Sequence, residues 1–186
     1  MNPSRNLFLI GPTGAGKTSV GRRLAAHYGL SFVDLDREIE HRTGTDVATV
    51  FELEGEAGFR QRESALLDEF SAGDGVLLAT GAGAVLDPRN RALLAARGYV
   101  LWLQADLEQQ LQRLARDTQR PLLAGADRRA RLEVMAAARE PLYRETADLA
   151  LPATHGITAI CTQAIALIDR HWQRLPLPLP TPSPAA

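Results

Sequence analysis

Leu7-Phe8-Leu9-Ile10-Gly11-Pro12-Thr13-Gly14-Ala15-Gly16-Lys17-Thr18 is the stretch on which the fold turns. Its first four residues form an apolar run closed by glycine, the pattern of a buried strand. The octet from Gly11 to Thr18 fits G-x-x-x-x-G-K-[ST], a loop whose backbone N–H groups point at a polyphosphate. Behind it, Val20, Leu24 and Tyr28 recur at helical spacing until Gly29 stops the helix. The loop therefore lies between a strand and a helix N-terminus, where partial positive charge faces an anion. Lys17 is the sole lysine; every other member of the 21 Lys+Arg residues is arginine. Either side chain serves on a surface, but a compact ammonium fits between β- and γ-phosphate oxygens where a planar guanidinium is too wide. The stretch implies nucleoside triphosphate binding. Gly14, Ala15, Gly16 and the adjoining Ser19 would cradle phosphates, Lys17 would hold the β- and γ-groups, and the Thr18 hydroxyl would ligate Mg²⁺.

Working outward, strands and helices alternate. Ser31-Phe32-Val33 reads as a second strand ending at Asp34-Leu35-Asp36, followed by a short helix over 37–42. Residues 46–70 read as mostly helical, broken near Gly55 and Gly58. A third strand, Val76-Leu77-Leu78-Ala79, runs into Thr80-Gly81-Ala82-Gly83. A helix over 88–97 starts at a proline, which suits the first turn, and a fourth strand covers 99–103. Leu107, Leu111 and Leu114 make one helical stripe. Residues 116–127 read as a loop, 128–143 as a helix, 147–151 as a fifth strand, and Ile157, Ile160, Ala164, Leu167 and Ile168 mark a last helix. This order predicts a three-layer α/β/α fold on a parallel sheet, with its ligands beyond the carboxyl ends of the strands. Asp34, Asp36 and the turn after Thr80 fall at such ends.

One domain over 1–174 accounts for the periodic part of the 186 residues. From Leu175, proline at alternate positions removes backbone donors, so 175–186 is expected to be an extended, disordered tail. Lys+Arg and Asp+Glu nearly cancel, 21 against 22, which gives no support to non-specific nucleic-acid binding. Cys161 has no partner for an internal disulfide and agrees with a reducing compartment. No secretory or membrane-spanning run is present, and a cytoplasmic monomer without nucleic-acid or membrane partners is the expectation. His27, His41, His155 and His171 are scattered and lack zinc-type spacing.

Three further groups carry candidate chemistry. Asp34 and Asp36 at a strand end could divide labour, one holding the water shell of Mg²⁺ and the other orienting an attacking hydroxyl. Alternatively, Asp36 merely caps the helix beginning at Arg37. Arg60, Arg120 and Arg139 sit in apolar or helical settings that spacing alone does not separate from solvated surface arginines. Gly81, Ala82 and Gly83 put nearly bare backbone at a strand end, where a small ligand can come close.

Taken in order, these segments resemble the shikimate kinases, P-loop proteins of the nucleoside-monophosphate-kinase-like group. The resemblance rests on the phosphate loop; on Asp34-Leu35-Asp36 with Ile39-Glu40-His41-Arg42-Thr43-Gly44; on Glu56-Ala57-Gly58-Phe59-Arg60-Gln61-Arg62-Glu63; on Thr80-Gly81-Ala82-Gly83-Ala84-Val85; and on Arg120-Pro121-Leu122-Leu123 with Arg139-Glu140-Pro141-Leu142-Tyr143. It implies transfer of the ATP γ-phosphoryl group to the 3-hydroxyl of shikimate, a step toward chorismate and the aromatic amino acids. It also implies a five-stranded parallel sheet in the order 2-3-1-4-5 and a lid near 116–127. By the same resemblance Asp36 binds substrate hydroxyls and acts as base or orienting group, and Asp34 supports Mg²⁺ through water. Arg60 and Arg139 clamp the shikimate carboxylate, and the Gly81, Ala82 and Gly83 backbone lines the pocket. Arg120 swings onto the phosphates, and Arg113 approaches the adenine. The sequence departs from the family pattern at Ala82, where a third glycine is expected. A positive φ there would cost alanine about 1–2 kcal/mol; a negative φ, the favoured case, only narrows the pocket. A gluconate-type kinase and a non-catalytic nucleotide-binding module are the competing readings.

Overall fold

The apolar runs lie too far apart in sequence for hairpins, and the chain connects its strands through helices instead. The computed structural model describes residues 4–115, 127–154 and 156–176. The strands are β1 (Leu7–Ile10), β2 (Ser31–Asp34), β3 (Val76–Ala79), β4 (Tyr99–Gln104) and β5 (Leu149–Pro152). All neighbouring pairs are parallel, in the order β2-β3-β1-β4-β5. β1 is central and buried along its whole length, as both faces are covered by helices.

Alternate side chains of the strands feed two cores. On one face Leu7, Leu9, Leu101 and Leu103 meet α1 (Lys17–Tyr28) and α7 (Ile157–His171) through Val20, Leu24, Ile160 and Ile168. On the other, Phe8, Ile10, Leu78, Val100 and Trp102 meet α2 (Leu35–Thr43), α3 (Val47–Ser71), α4 (Pro88–Arg97) and α6 (Arg128–Thr146) through Ile39, Leu67, Leu94 and Tyr143. A smaller cluster joins α5 (Leu107–Leu114) to α6 through Leu114 and Leu132. The three-layer arrangement and strand order are those the sequence and the resemblance imply.

Among the differences from the sequence reading, four have a local cause. Helix α2 begins at Leu35, two residues before Arg37, because the Asp34 side chain is its N-cap and accepts from the Arg37 N–H at 3.4 Å. Asp36 thus lies in the first turn and is not the cap. Helix α3 breaks only at Gly55, whose φ of 70° and ψ of 179° are non-helical, while Gly58 continues the helix. Helix α6 runs past Pro141 to Thr146. Ala137 and Pro141 are both exposed, so the carbonyl that proline leaves without its helical donor faces water. Finally, the fifth strand is shifted to Leu149–Pro152; proline is tolerated at this end of an edge strand.

The span 116–126, including Arg120 and nearly all of the expected lid, lies outside the described residues, as do His155 and 177–186 of the tail. The two described residues of that tail are held to the N-terminal segment. Leu175 N–H donates to the Ser4 carbonyl at 3.0 Å, and Arg5 Nε donates to the Pro176 carbonyl at 2.7 Å.

Candidate active site

The turn that follows β1 changes direction through left-handed glycines. Gly14 and Gly16 have φ of 78° and 91°, values that a side-chain-bearing residue adopts only with strain. Gly16 is the N-cap of α1, so the loop delivers its N–H groups to the positive end of that helix. The Lys17 ammonium lies along the loop, donating to the carbonyls of Gly11 at 2.7 Å and Pro12 at 2.9 Å. One residue on, Thr18 Oγ1 donates to Asp34 Oδ2 at 2.6 Å. The hydroxyl and carboxylate expected to serve a cation are therefore in contact before any ligand is considered.

A cleft of about 460 Å³ opens over this end of the sheet. Its floor is the loop from Gly14 to Ser19, and its far wall is Asp34, Asp36, Thr80 and Ala82. Arg113 closes the opposite side together with Gly156, Ile157 and Ile160. The Arg113 guanidinium donates to the carbonyls of Gly14 at 3.0 Å and Ala153 at 2.7 Å, tying the phosphate loop to the segment after β5.

Beside Asp36 lies a charged cluster built from α3, α6 and the turn after β3. Glu63 is fully buried, and its Oε2 accepts from Arg60 Nη1 at 2.7 Å. Arg60 also reaches Glu56 at 3.2 Å. Burial pushes the Glu63 carboxyl above its ordinary range; the charges of Arg60 and Arg139 oppose that rise and the charge of Asp36 adds to it. Arg139 is itself buried. The turn makes room for this cluster only because it lacks side chains. A Cβ on Gly81 would overlap Glu63 Oε1, and one on Gly83 would overlap the Arg60 guanidinium. Between them Ala82, which also lines the cleft, does not have positive φ, so its methyl costs no backbone strain. The Tyr143 hydroxyl donates to the Ala82 carbonyl at 2.5 Å.

Of the residues singled out from sequence, Gly14, Ala15, Gly16, Lys17, Thr18, Ser19, Asp34, Asp36, Ala82 and Arg113 line the cleft. Gly81, Gly83, Arg60 and Arg139 meet in the adjoining cluster. Arg120 lies outside the described residues. Sequence reasoning does not single out Glu63 or Tyr143. The signal for Glu63 is its i,i+3 spacing from Arg60 on one helix, which becomes informative only once that face is known to be buried. For Tyr143 the signal is weaker, since a helix-end tyrosine is ordinary until its hydroxyl has a partner.

The donor set bears on which cation could be held. Among the described residues no group of three or more His, Cys, Asp or Glu could hold a metal ion. A hydroxyl and one carboxylate remain, a hard-oxygen pair that suits Mg²⁺ completing its shell with water and phosphate oxygens.

Comparison with known proteins agrees with this geometry. The family model for shikimate kinase matches residues 13–169. A shikimate kinase of Stenotrophomonas maltophilia (strain R551-3) is 50% identical over 178 residues, which cover 95% of this chain and 99% of that protein. One from Halorhodospira halophila (strain DSM 244 / SL1) is 54% identical over 154 residues, covering 83% of this chain and 86% of that protein. Among solved structures, shikimate kinase from Acinetobacter baumannii in complex with shikimate superposes with a TM-score of 0.87 at 42% identity, covering 90% of this chain and 94% of that one.

Proposed function

The chain belongs to the shikimate kinase family, and from that premise we propose how its residues divide the work of moving a phosphoryl group from ATP to shikimate. The observation that carries the proposal is the convergence of the phosphate loop, Asp36 and the turn at Ala82 on one cleft, with Arg60, Glu63 and Arg139 packed beside it. A triphosphate on the loop would direct its terminal group toward Asp36 and the substrate toward the arginines.

Lys17 leaves the Gly11 and Pro12 carbonyls and turns to the β- and γ-phosphates, exchanging neutral acceptors for charged ones. Asp36 accepts a hydrogen bond from the 3-hydroxyl of shikimate and aligns its oxygen for in-line attack. Arg60 and Arg139 bind the substrate carboxylate, which fixes the ring relative to Asp36. Glu63 neutralises part of their charge and holds the Arg60 fork in place. Arg113 flanks the base of the nucleotide, and Arg120 keeps the phosphate-binding role that the resemblance gives it. Thr18 and Asp34 would hold Mg²⁺, which would supply charge neutralisation on the phosphates when bound. The reaction is placed in the cytosol and assigned to a monomer of one kinase domain.

The deciding experiment measures ADP release with ATP, Mg²⁺ and shikimate against a control without shikimate and against a panel of sugar acids. Turnover that depends on shikimate and is absent with gluconate is expected. Turnover on gluconate alone would transfer the chain to the other small-molecule kinases. Tight ATP binding with no acceptor phosphorylated would leave only a nucleotide-binding module.

A further inference from the structure

The acid-binding side of the cleft contains a buried hydroxyl that the scheme above leaves without a task. Tyr143 is 3% exposed, and its hydroxyl donates to the carbonyl of Ala82. Arg139, also buried, stands one turn earlier on the same face of α6, and its positive charge acts on the phenol. Tyr143 therefore bridges from the helix face that carries Arg139 to the carbonyl in the middle of the substrate turn.

We infer that Tyr143 is a positioning residue for the substrate acid, its hydroxyl setting the Arg139 guanidinium at a fixed place relative to the Gly81–Gly83 backbone. The inference rests on the acid clamp proposed for Arg60 and Arg139 and adds how half of that clamp is held. Three observations support it. The hydroxyl is bonded to the turn after β3 and the ring rises from the face of helix α6 that carries Arg139, so Tyr143 links both structures that would surround the carboxylate. The ring is anchored independently, stacked on Trp102 with centroids 5.7 Å apart and planes 30° apart. Trp102 in turn is the register partner of Ile10, the last residue of β1 before the phosphate loop. Tyr143 thus ties the acid clamp to the strand pair that carries the nucleotide loop. Burial also pushes the phenol above its ordinary pKa, so it stays a donor throughout the range in which a carboxylate substrate is charged.

Among the described residues no short ion pair holds Arg139 otherwise. Its electrostatic neighbour is Glu63, which spends its Oε2 on Arg60. An arginine meant to meet a substrate carboxylate bidentately has to present its fork with little residual freedom. A neutral phenol supplies that restraint without consuming the positive charge.

The test uses Tyr143→Phe, which keeps the ring on Trp102 and removes only the hydroxyl. It compares kcat/KM for shikimate with that for its carboxamide, in which the acid is replaced by a neutral amide. The acid-to-amide preference is expected to fall about tenfold, carried by the shikimate KM, while the ATP KM stays within about twofold. In the Arg139→Ala background the same substitution should add less than about twofold, because the two residues act as one unit. Trp102→Phe serves as the packing control and should leave the preference intact. An unchanged preference in Tyr143→Phe, or an equal loss in Trp102→Phe, overturns the positioning role and reduces Tyr143 to a core residue. A preference unchanged in Arg139→Ala overturns the acid clamp itself and takes this inference with it, so the two failures are told apart.

Discussion

A lysine that donates to two loop carbonyls has already given up part of its hydration. In the proposed role Lys17, held in that posture, would only exchange acceptors on meeting a triphosphate, with little new desolvation to offset. Its charge would then act on oxygens whose negative charge shifts during transfer, where a fixed cation is most effective. Lys17→Met is therefore expected to lower kcat/KM for ATP by at least about a hundredfold, since removal of one such electrostatic contact typically costs that much. Steady-state kinetics that remain near normal would contradict the role. Glu63 makes a second prediction, through pH. Burial is the largest cause of its raised pKa, and the Arg60 pair only opposes it. Between the ordinary and the folded-state value, the folded chain thus holds a proton that the unfolded chain has lost. The stability contributed by that shift is complete below the ordinary value of 4.5 and declines as pH rises through the folded-state value. Denaturation midpoints measured from pH 4 upward should show this decline in the unsubstituted protein and a flatter profile in Glu63→Gln. Parallel profiles would mean that the carboxyl is not perturbed.

At the scale of elements, most of the fold was readable because most strands are short apolar runs and α1, α5 and α7 each carry one stripe. Helix α4 begins at Pro88, as a proline suited to the first turn predicts, and ends at Arg97. Where the reading slipped, the deciding interaction lay outside the local pattern. Asp34 looks like the end of a strand, and it is, but its side chain also starts α2, so strand and helix share a junction that spacing separates by two residues. Pro141 normally ends a helix, yet α6 continues because the affected carbonyl is exposed and Tyr143, Thr146 and Leu142 are packed beyond it. Gly55 and Gly58 look alike in sequence, and only the former is conformationally special. Gly55, with φ 70° and ψ 179°, occupies a region essentially reserved for glycine, so Gly55→Ala should destabilise the fold by about 1–3 kcal/mol in urea denaturation. Ala82→Gly should do the opposite of what a strained alanine would. Because Ala82 lacks positive φ, removing its methyl relieves nothing and should cost about 0.4–1 kcal/mol by freeing the unfolded chain. A gain in stability would show that the turn was strained after all.

At the scale of the whole molecule, parallel strands bring segments distant in sequence to one edge of the sheet, and the site follows from that convergence. The phosphate loop after β1, Asp34 and Asp36 after β2 and Ala82 after β3 line a single cleft, as strand ends in such sheets predict. The partnership among Arg60, Glu63, Arg139 and Tyr143 was not legible to the same degree. It depends on two helices and a turn meeting in three dimensions, and nothing in the spacing of any one segment announces the others. The cation tests how far the site is built in advance. Thr18 and Asp34 are hydrogen-bonded to each other at 2.6 Å, and among the described residues no carboxylate-rich cluster could hold a metal. The described residues alone therefore offer Mg²⁺ too few ligands to bind firmly, and most of its shell would come with the nucleotide. Mg²⁺ without ATP should leave the thermal midpoint unchanged. ATP with Mg²⁺ at about a hundred times its dissociation constant should stabilise the fold by about 2.7 kcal/mol. Chelation of the cation should abolish turnover while leaving the protein folded. A midpoint that rises with Mg²⁺ alone, and falls on chelation without nucleotide, would reveal a resident metal site and contradict delivery of the cation by the triphosphate.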